Sequence, residues 1–163
     1  MNGDRSGEDA SFGGRDLPWP TRLVARIWAT VELERAAADL GLELEHLADD
    51  QLLGAAVALA RPSEEPWIAL LEPRTEGRLA AWLARNGEGP AGAYLAVGAG
   101  LDAARREVPD RPLTEVAYGP FGRSVLVLGG PTGGPHLVLV EPGAVPSIDD
   151  RPPDGGVAAG PPR

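Results

Sequence analysis

An internal echo constrains this chain more than any other feature. Pro66-Trp-Ile-Ala-Leu-Leu-Glu-Pro73 returns as Pro135-His-Leu-Val-Leu-Val-Glu-Pro142, displaced by 69 residues. ATVELERAA and LAVGAGLDAARR, each a strand end running into a helix, stand at nearly the same displacement. A period this long, occurring twice, points to duplication of a supersecondary unit rather than to a solenoid of short repeats. In a chain of 163 residues, that leaves room for one domain made of two similar halves.

Each half reads as the same series of elements. Arg22–Val31 is β-branched and apolar enough for a strand. ELERAAADL follows, with Leu33, Ala36, Ala37 and Leu40 at helical spacing and Gly41 as a stop. LELEHLADD and QLLGAAVALA read as a hairpin turning at Asp49–Asp50, and PWIALLEP as a strand between prolines. Thr75 is a suitable N-cap for a helix with Leu79, Trp82 and Leu83 on one face, ended by Gly87 or Gly89. AGAYLAV, LDAARREV, TEVAY, SVLVLGG and PHLVLVEP then repeat strand, helix and three strands, with PFG and PTGG as turns. The expectation is an α+β fold over residues 18–142. It is flanked by a loose polar arm over 1–17 and a Pro/Gly-rich tail over 143–163, which has too few large apolar side chains to offset its ordering entropy.

Composition removes several functions. There are no cysteines, which excludes disulfides, thiolate metal sites and a cysteine nucleophile. The formal charge of −9, from 24 acidic against 15 basic side chains, opposes nucleic-acid binding, since neutralising phosphates needs clustered Lys and Arg. No apolar run is long enough to span a bilayer and no secretory signal is readable, so a cytoplasmic location without membrane attachment is expected. The glycine-rich Gly129–Gly134 joins two strands and lacks the Lys and helix N-terminus of a phosphate loop. Ser63 and Ser124 sit on no nucleophile elbow.

LLEPRTEGRLAAWLARNGEGP, residues 70–90, closely resembles the segment joining the two halves of methylmalonyl-CoA epimerases, within the vicinal oxygen chelate (glyoxalase-like) superfamily. The resemblance extends over about 22–142, resting on element order outside 66–97. It implies two βαβββ modules forming a curled mixed sheet around a cup. In the family, a divalent metal is held in that cup by four inward side chains. Carried over position by position, those ligands fall on Ala25, Ala69, Gly92 (with Ala91 beside it) and Val138. None can coordinate an ion, which needs imidazole or carboxylate donors here. A one-residue slip to Val24, Ile68, Ala91 or Leu137 brings none either. The resemblance therefore implies the fold and the cup, with no metal and no cofactor, and without the carboxylate base of the epimerase reaction.

Strand alternation adds Ile27, Ala29, Trp67, Leu71, Tyr94, Ala96, His136 and Val140 to the inward set. Such a cup is apolar, with polar points at the Tyr94 hydroxyl, the His136 imidazole and the Trp67 indole. Arg123 stands at the rim as a possible anion contact or a plain surface arginine. His46 reads as part of a solvated acidic hairpin. The leading expectation is a protein that binds a small hydrophobic or aromatic metabolite in the cup, as drug-sequestering relatives do. Its ligand contacts would be Ala25, Ile27, Trp67, Ala69, Leu71, Gly92, Tyr94, His136, Val138 and Arg123. One alternative is a metal-independent isomerase, lyase or cyclase using Tyr94 and His136 as catalytic groups. The other is a pseudoenzyme whose cup is filled by side chains and which acts through partner binding, with Trp19, Trp28 and the tails at its surface. A homodimer is a modest preference, because modules of this fold often pair and free strand edges invite pairing.

Overall fold

A computed structural model describes residues 20–62, 66–107, 112–128 and 135–146. The arm, Trp19, Ser63, the Gly129–Gly134 turn and all of the tail beyond residue 146 lie outside the described residues. Eleven elements run β1 (Thr21–Ala29), α1 (Leu33–Leu40), β2 (His46–Asp50), β3 (Ala55–Ala60), β4 (Trp67–Pro73), α2 (Arg78–Asn86), β5 (Gly89–Val97), α3 (Leu101–Glu107), β6 (Ala117–Gly119), β7 (Gly122–Leu126) and β8 (His136–Val140). This is the expected βαβββ, linking helix, βαβββ.

The strands form one eight-stranded sheet in the order β2-β3-β4-β1-β5-β8-β7-β6. Within each half the first strand pairs parallel with the last, Ala25 against Trp67 and Gly92 against His136. The halves join where β1 and β5 run antiparallel. The sheet curls until its two ends touch: the Gln51 amide donates to the Tyr118 carbonyl at 3.0 Å, and the Tyr118 amide to Gln51 Oε1 at 3.0 Å.

The repeated Glu-Pro has a structural explanation that composition could not supply. Glu72, at the end of β4, accepts from the Leu33 amide at the start of α1 at 3.2 Å. Glu141, just after β8, accepts from the Leu101 amide at the start of α3, also at 3.2 Å. The first amides of a helix have no partner within it, and a carboxylate there also complements the helix dipole. Each half thus caps its helix from the neighbouring parallel strand. Glu88, in the Gly-Glu-Gly that follows α2, is equally structural. One of its oxygens accepts from Thr30 Oγ1 (2.6 Å), the Val31 amide (2.8 Å) and Arg35 (2.6 Å). This ties the end of the linker to the β1–α1 turn.

Local details depart from the sequence reading. The first hairpin turns over residues 51–54, not at Asp49–Asp50. The reason is that Asp50 is a buried strand end whose Oδ1 accepts from the Leu53 amide at 2.8 Å, fixing the turn beyond it. Thr75 does not cap α2; the helix begins after Gly77 with no side-chain cap. β1 ends at Ala29 rather than Val31, and β6 is shorter than TEVAY. Gly41 does stop α1, in the left-handed conformation at φ 66°, which a glycine adopts without steric cost.

Three apolar clusters divide the interior. Outside the sheet, α1 lays Ala36 and Ala37 on Ala58 and Leu70, and α3 lays Leu101 and Ala104 on Ala93, Leu95, Val125 and Leu139. The largest cluster fills the concave side and takes in Leu79, Trp82 and Leu83 of α2.

Candidate functional site

The inner face of the curled sheet is where the family's chemistry would sit. Ala25, Ile27, Ala69, Leu71, Tyr94 and Val138 all face it, each fully or almost fully buried. Alternation along β1, β4 and β8 therefore gave the correct face. Along β5 it held for Tyr94 and Ala96 and failed at Gly92. The register between β1 and β5 slips between Ile27 and Trp28, so that Ile27 pairs with Gly92 and Trp28 with Pro90. The slip leaves Ala91 without a partner and turns it into the inner cluster, as a β-bulge does when it adds one residue to a strand. Gly92 has φ 151°, and a Cβ built on it would lie 1.9 Å from the His136 carbonyl oxygen. No side chain of any kind fits there without moving β8.

At the expected metal position the groups are thus the methyls of Ala25, Ala69 and Ala91 and the isopropyl of Val138, all 0% exposed. These groups do not fit a metal ion. Among the described residues no group of three or more His, Asp or Glu side chains is placed to hold one.

Two plugs fill the cup. α2 inserts Leu79, Trp82 and Leu83. Leu53 and Phe121 enter from the β2–β3 and β6–β7 turns, with Phe121 edge-on to Tyr94 at 5.1 Å between ring centres. Turn residues carry no strand alternation, so the sequence offered no signal that Leu53 and Phe121 point inward.

The cup does hold one acid that the sequence reading missed. Asp50 is 1% exposed, and its Oδ2 accepts from the Tyr94 hydroxyl at 2.6 Å. Burial raises the Asp50 pKa, opposed by the hydrogen bonds from Tyr94 and from the Leu53 and Leu52 amides. Burial, and then the neighbouring Asp50 charge, pushes Tyr94 well above its usual range. The Tyr94 hydroxyl is therefore a committed donor with its proton locked in place. The sequence places Asp50 in the turn of an acidic hairpin, and the only hint against this is its place two residues beyond Ala48 on one strand face.

The remaining polar points lie toward the mouth. Trp67 is half-buried, with His46 tilted against it at 5.6 Å and the Arg61 guanidinium 5.4 Å from its ring centre. His46 is accordingly a packed side chain rather than a solvated one. His136 is half-buried, and its Nε2 is enclosed with no hydrogen-bond partner among the described residues. Burial and the nearby Arg78 charge hold its pKa below the usual imidazole value, so it is neutral near pH 7. Arg123 is spoken for, pairing with Glu141 at 3.0 Å and Asp102 at 3.3 Å. Tyr94 and His136 stand on adjacent strands, yet no hydrogen bond joins them among the described residues.

A curled mixed sheet of two βαβββ modules with this topology defines the vicinal oxygen chelate class, and the chain belongs to that superfamily. Among solved structures it is similar to methylmalonyl-CoA epimerase from Mycobacterium tuberculosis, at 26% identity over 74% of this chain and 87% of that one, with a TM-score of 0.63. It is similar to a Streptomyces coelicolor methylmalonyl-CoA epimerase variant in complex with 2-nitronate-propionyl-CoA, at 25% identity over 78% and 98%, TM-score 0.62. A hypothetical protein from Bacillus halodurans shares the fold at 20% identity over 78% and 99%, TM-score 0.60. No protein-family model matches the chain, and no curated protein matches it.

Proposed function

We propose that this chain is a metal-independent member of the superfamily whose cup has become a structural core, and that it works by binding a partner at its surface rather than by epimerase-type catalysis. One observation carries this reading. The side chains at the expected ligand positions are fully buried methyl and isopropyl groups, in one apolar cluster with Leu79, Trp82 and Leu83 of α2, Phe121 and Tyr94. Proton abstraction next to a thioester carbonyl needs a reachable base and an electrophile for the developing enolate. The buried acid in the cup, Asp50, is turned to Tyr94 and the Leu53 amide instead. The segment most like the epimerases supplies Glu72 and Glu88, both used to hold the fold together.

A second reading keeps a small apolar ligand, bound at the mouth rather than in the centre. It is favoured by the half-buried Trp67 and by the His136 Nε2 that lacks a partner, which a ligand hydroxyl could satisfy. Elemental analysis of purified protein, together with an assay of methylmalonyl-CoA epimerisation with added divalent metal, tests the first reading. The expected result is well under one ion per chain and no turnover; one bound ion per chain, or turnover, overturns it. A thermal-shift screen of aromatic metabolites separates the second reading, because a ligand bound to the native state raises Tm by mass action.

A further inference from the structure

The two ends of the curled sheet meet at Gln51 and Tyr118, and beside that contact lies an open groove. We infer that this groove, between the free edge of β2 and the β6–β7 hairpin, is the docking site for an extended basic segment of another protein. The inference rests on the surface-binding reading above and names its partner class. Three observations converge. Among the described residues β2 is a terminal strand, hydrogen-bonded to β3 alone along His46–Asp50, and a free edge accepts an added strand through its unpaired backbone groups. Two of the exposed large apolar side chains sit on the groove, Leu47 at 77% and Tyr118 at 59% exposure. The groove encloses about 1260 Å³, above the roughly 300–1,000 Å³ of small-molecule pockets.

Charge selects the occupant. Glu34, Glu45, Asp49 and Glu72 line the groove against Arg74. Glu32 lines it too, but its charge is met by Arg35 at 3.4 Å. A second copy of this chain would bring the same acidic groove and a net charge of −9, so self-pairing through this seam is opposed. Nucleic acid is opposed for the same reason. Glu45, Leu47 and Asp49 stand on the same exposed face of β2, so a strand carrying both Lys or Arg and apolar residues on one of its faces meets both requirements: its backbone extends the sheet, its apolar side chains cover Leu47 and Tyr118, and its cations meet Glu45 and Asp49.

The probe is a blocked twelve-residue peptide of the repeat Lys-Thr-Val-Thr (the Lys–Val peptide), which carries Lys and Val on one face, titrated into the full chain by fluorescence anisotropy. A Glu–Val peptide and spermine serve as controls. The Lys–Val peptide is expected to bind and to weaken at least tenfold between 50 and 500 mM salt. Backbone amides over 46–49 are expected to exchange at least tenfold more slowly in its presence. Glu45→Lys with Asp49→Lys, and separately Tyr118→Ser, should each weaken binding at least tenfold while leaving the circular dichroism spectrum unchanged. Absence of binding, equal binding of the Glu–Val peptide, displacement by equimolar spermine, or binding indifferent to the charge reversals would each overturn the inference. Those results leave the metal-independent reading standing, since that one is decided by elemental analysis and turnover.

Discussion

The Tyr94 hydroxyl donates a 2.6 Å hydrogen bond to Asp50 across the cup, joining a strand of the second half to a strand of the first. Both groups are buried. The bond fastens the two halves of the chain to each other across the concave face.

Tyr94→Phe is expected to destabilise the protein by about 2 kcal/mol at pH 7, the typical worth of a hydrogen bond to a charged group. The Tyr94 hydrogen bond opposes the burial that raises the Asp50 pKa, so its loss raises that pKa further. A group with a raised folded-state pKa contributes its stability below its unfolded pKa and loses it as pH rises through the folded one. The cost of Tyr94→Phe should therefore be smaller near pH 4 than at pH 7. Urea denaturation at the two pH values checks this; an equal cost at both would mean that Asp50 does not carry the charge.

Glu88 has the opposite sign. Its hydrogen bonds from Arg35, Thr30 and the Val31 amide lower its pKa to about 2 from 4.5. A depressed carboxylate contributes stability that is complete above the unfolded pKa and is lost as pH falls through the folded value. The wild type should lose stability from about pH 4.5 down toward pH 2 on this account. Glu88→Gln should flatten that part of the Tm-against-pH curve, and an unchanged acid limb would show that the group contributes nothing there.

Gly92→Ala is expected to cost more than about 3 kcal/mol, or to prevent folding, because the added methyl meets the His136 carbonyl at 1.9 Å and side chains avoid that backbone conformation. Ala91→Gly, one residue away on the bulge, should cost only about 1 kcal/mol. Thermal melts of the pair measure the contrast, and similar losses would contradict the bulge.

The two caps offer a symmetric test. Glu72→Ala should cost about 1 kcal/mol through the α1 amide it serves. Glu141→Ala should cost more, because Glu141 also holds Arg123 at 3.0 Å. The two are in separate halves, so their effects should add in the double variant.

Much of the fold is legible in the sequence. Duplication at an interval of 69 residues predicted the order of elements, and alternation placed Ala25, Ala69 and Val138 on the concave face. These are properties of residue type and period, which local geometry translates directly into a face. The sequence alone also determined that no metal could be held at the carried-over positions, since alanine, glycine and valine have no donor to offer.

Only the tertiary structure decided what the concave face encloses. Whether a cup is open depends on side chains that arrive from turns and from the linking helix, and Leu53, Phe121 and Trp82 obey no strand period. The bulge that exchanges Ala91 for Gly92 is a matter of pairing register between β1 and β5, distant in sequence. The Asp50–Tyr94 bond closes over 44 residues of chain, and nothing in ELEHLADD distinguishes a buried carboxylate from a solvated one. Residue chemistry is written locally, whereas burial is a relation between distant parts of the chain.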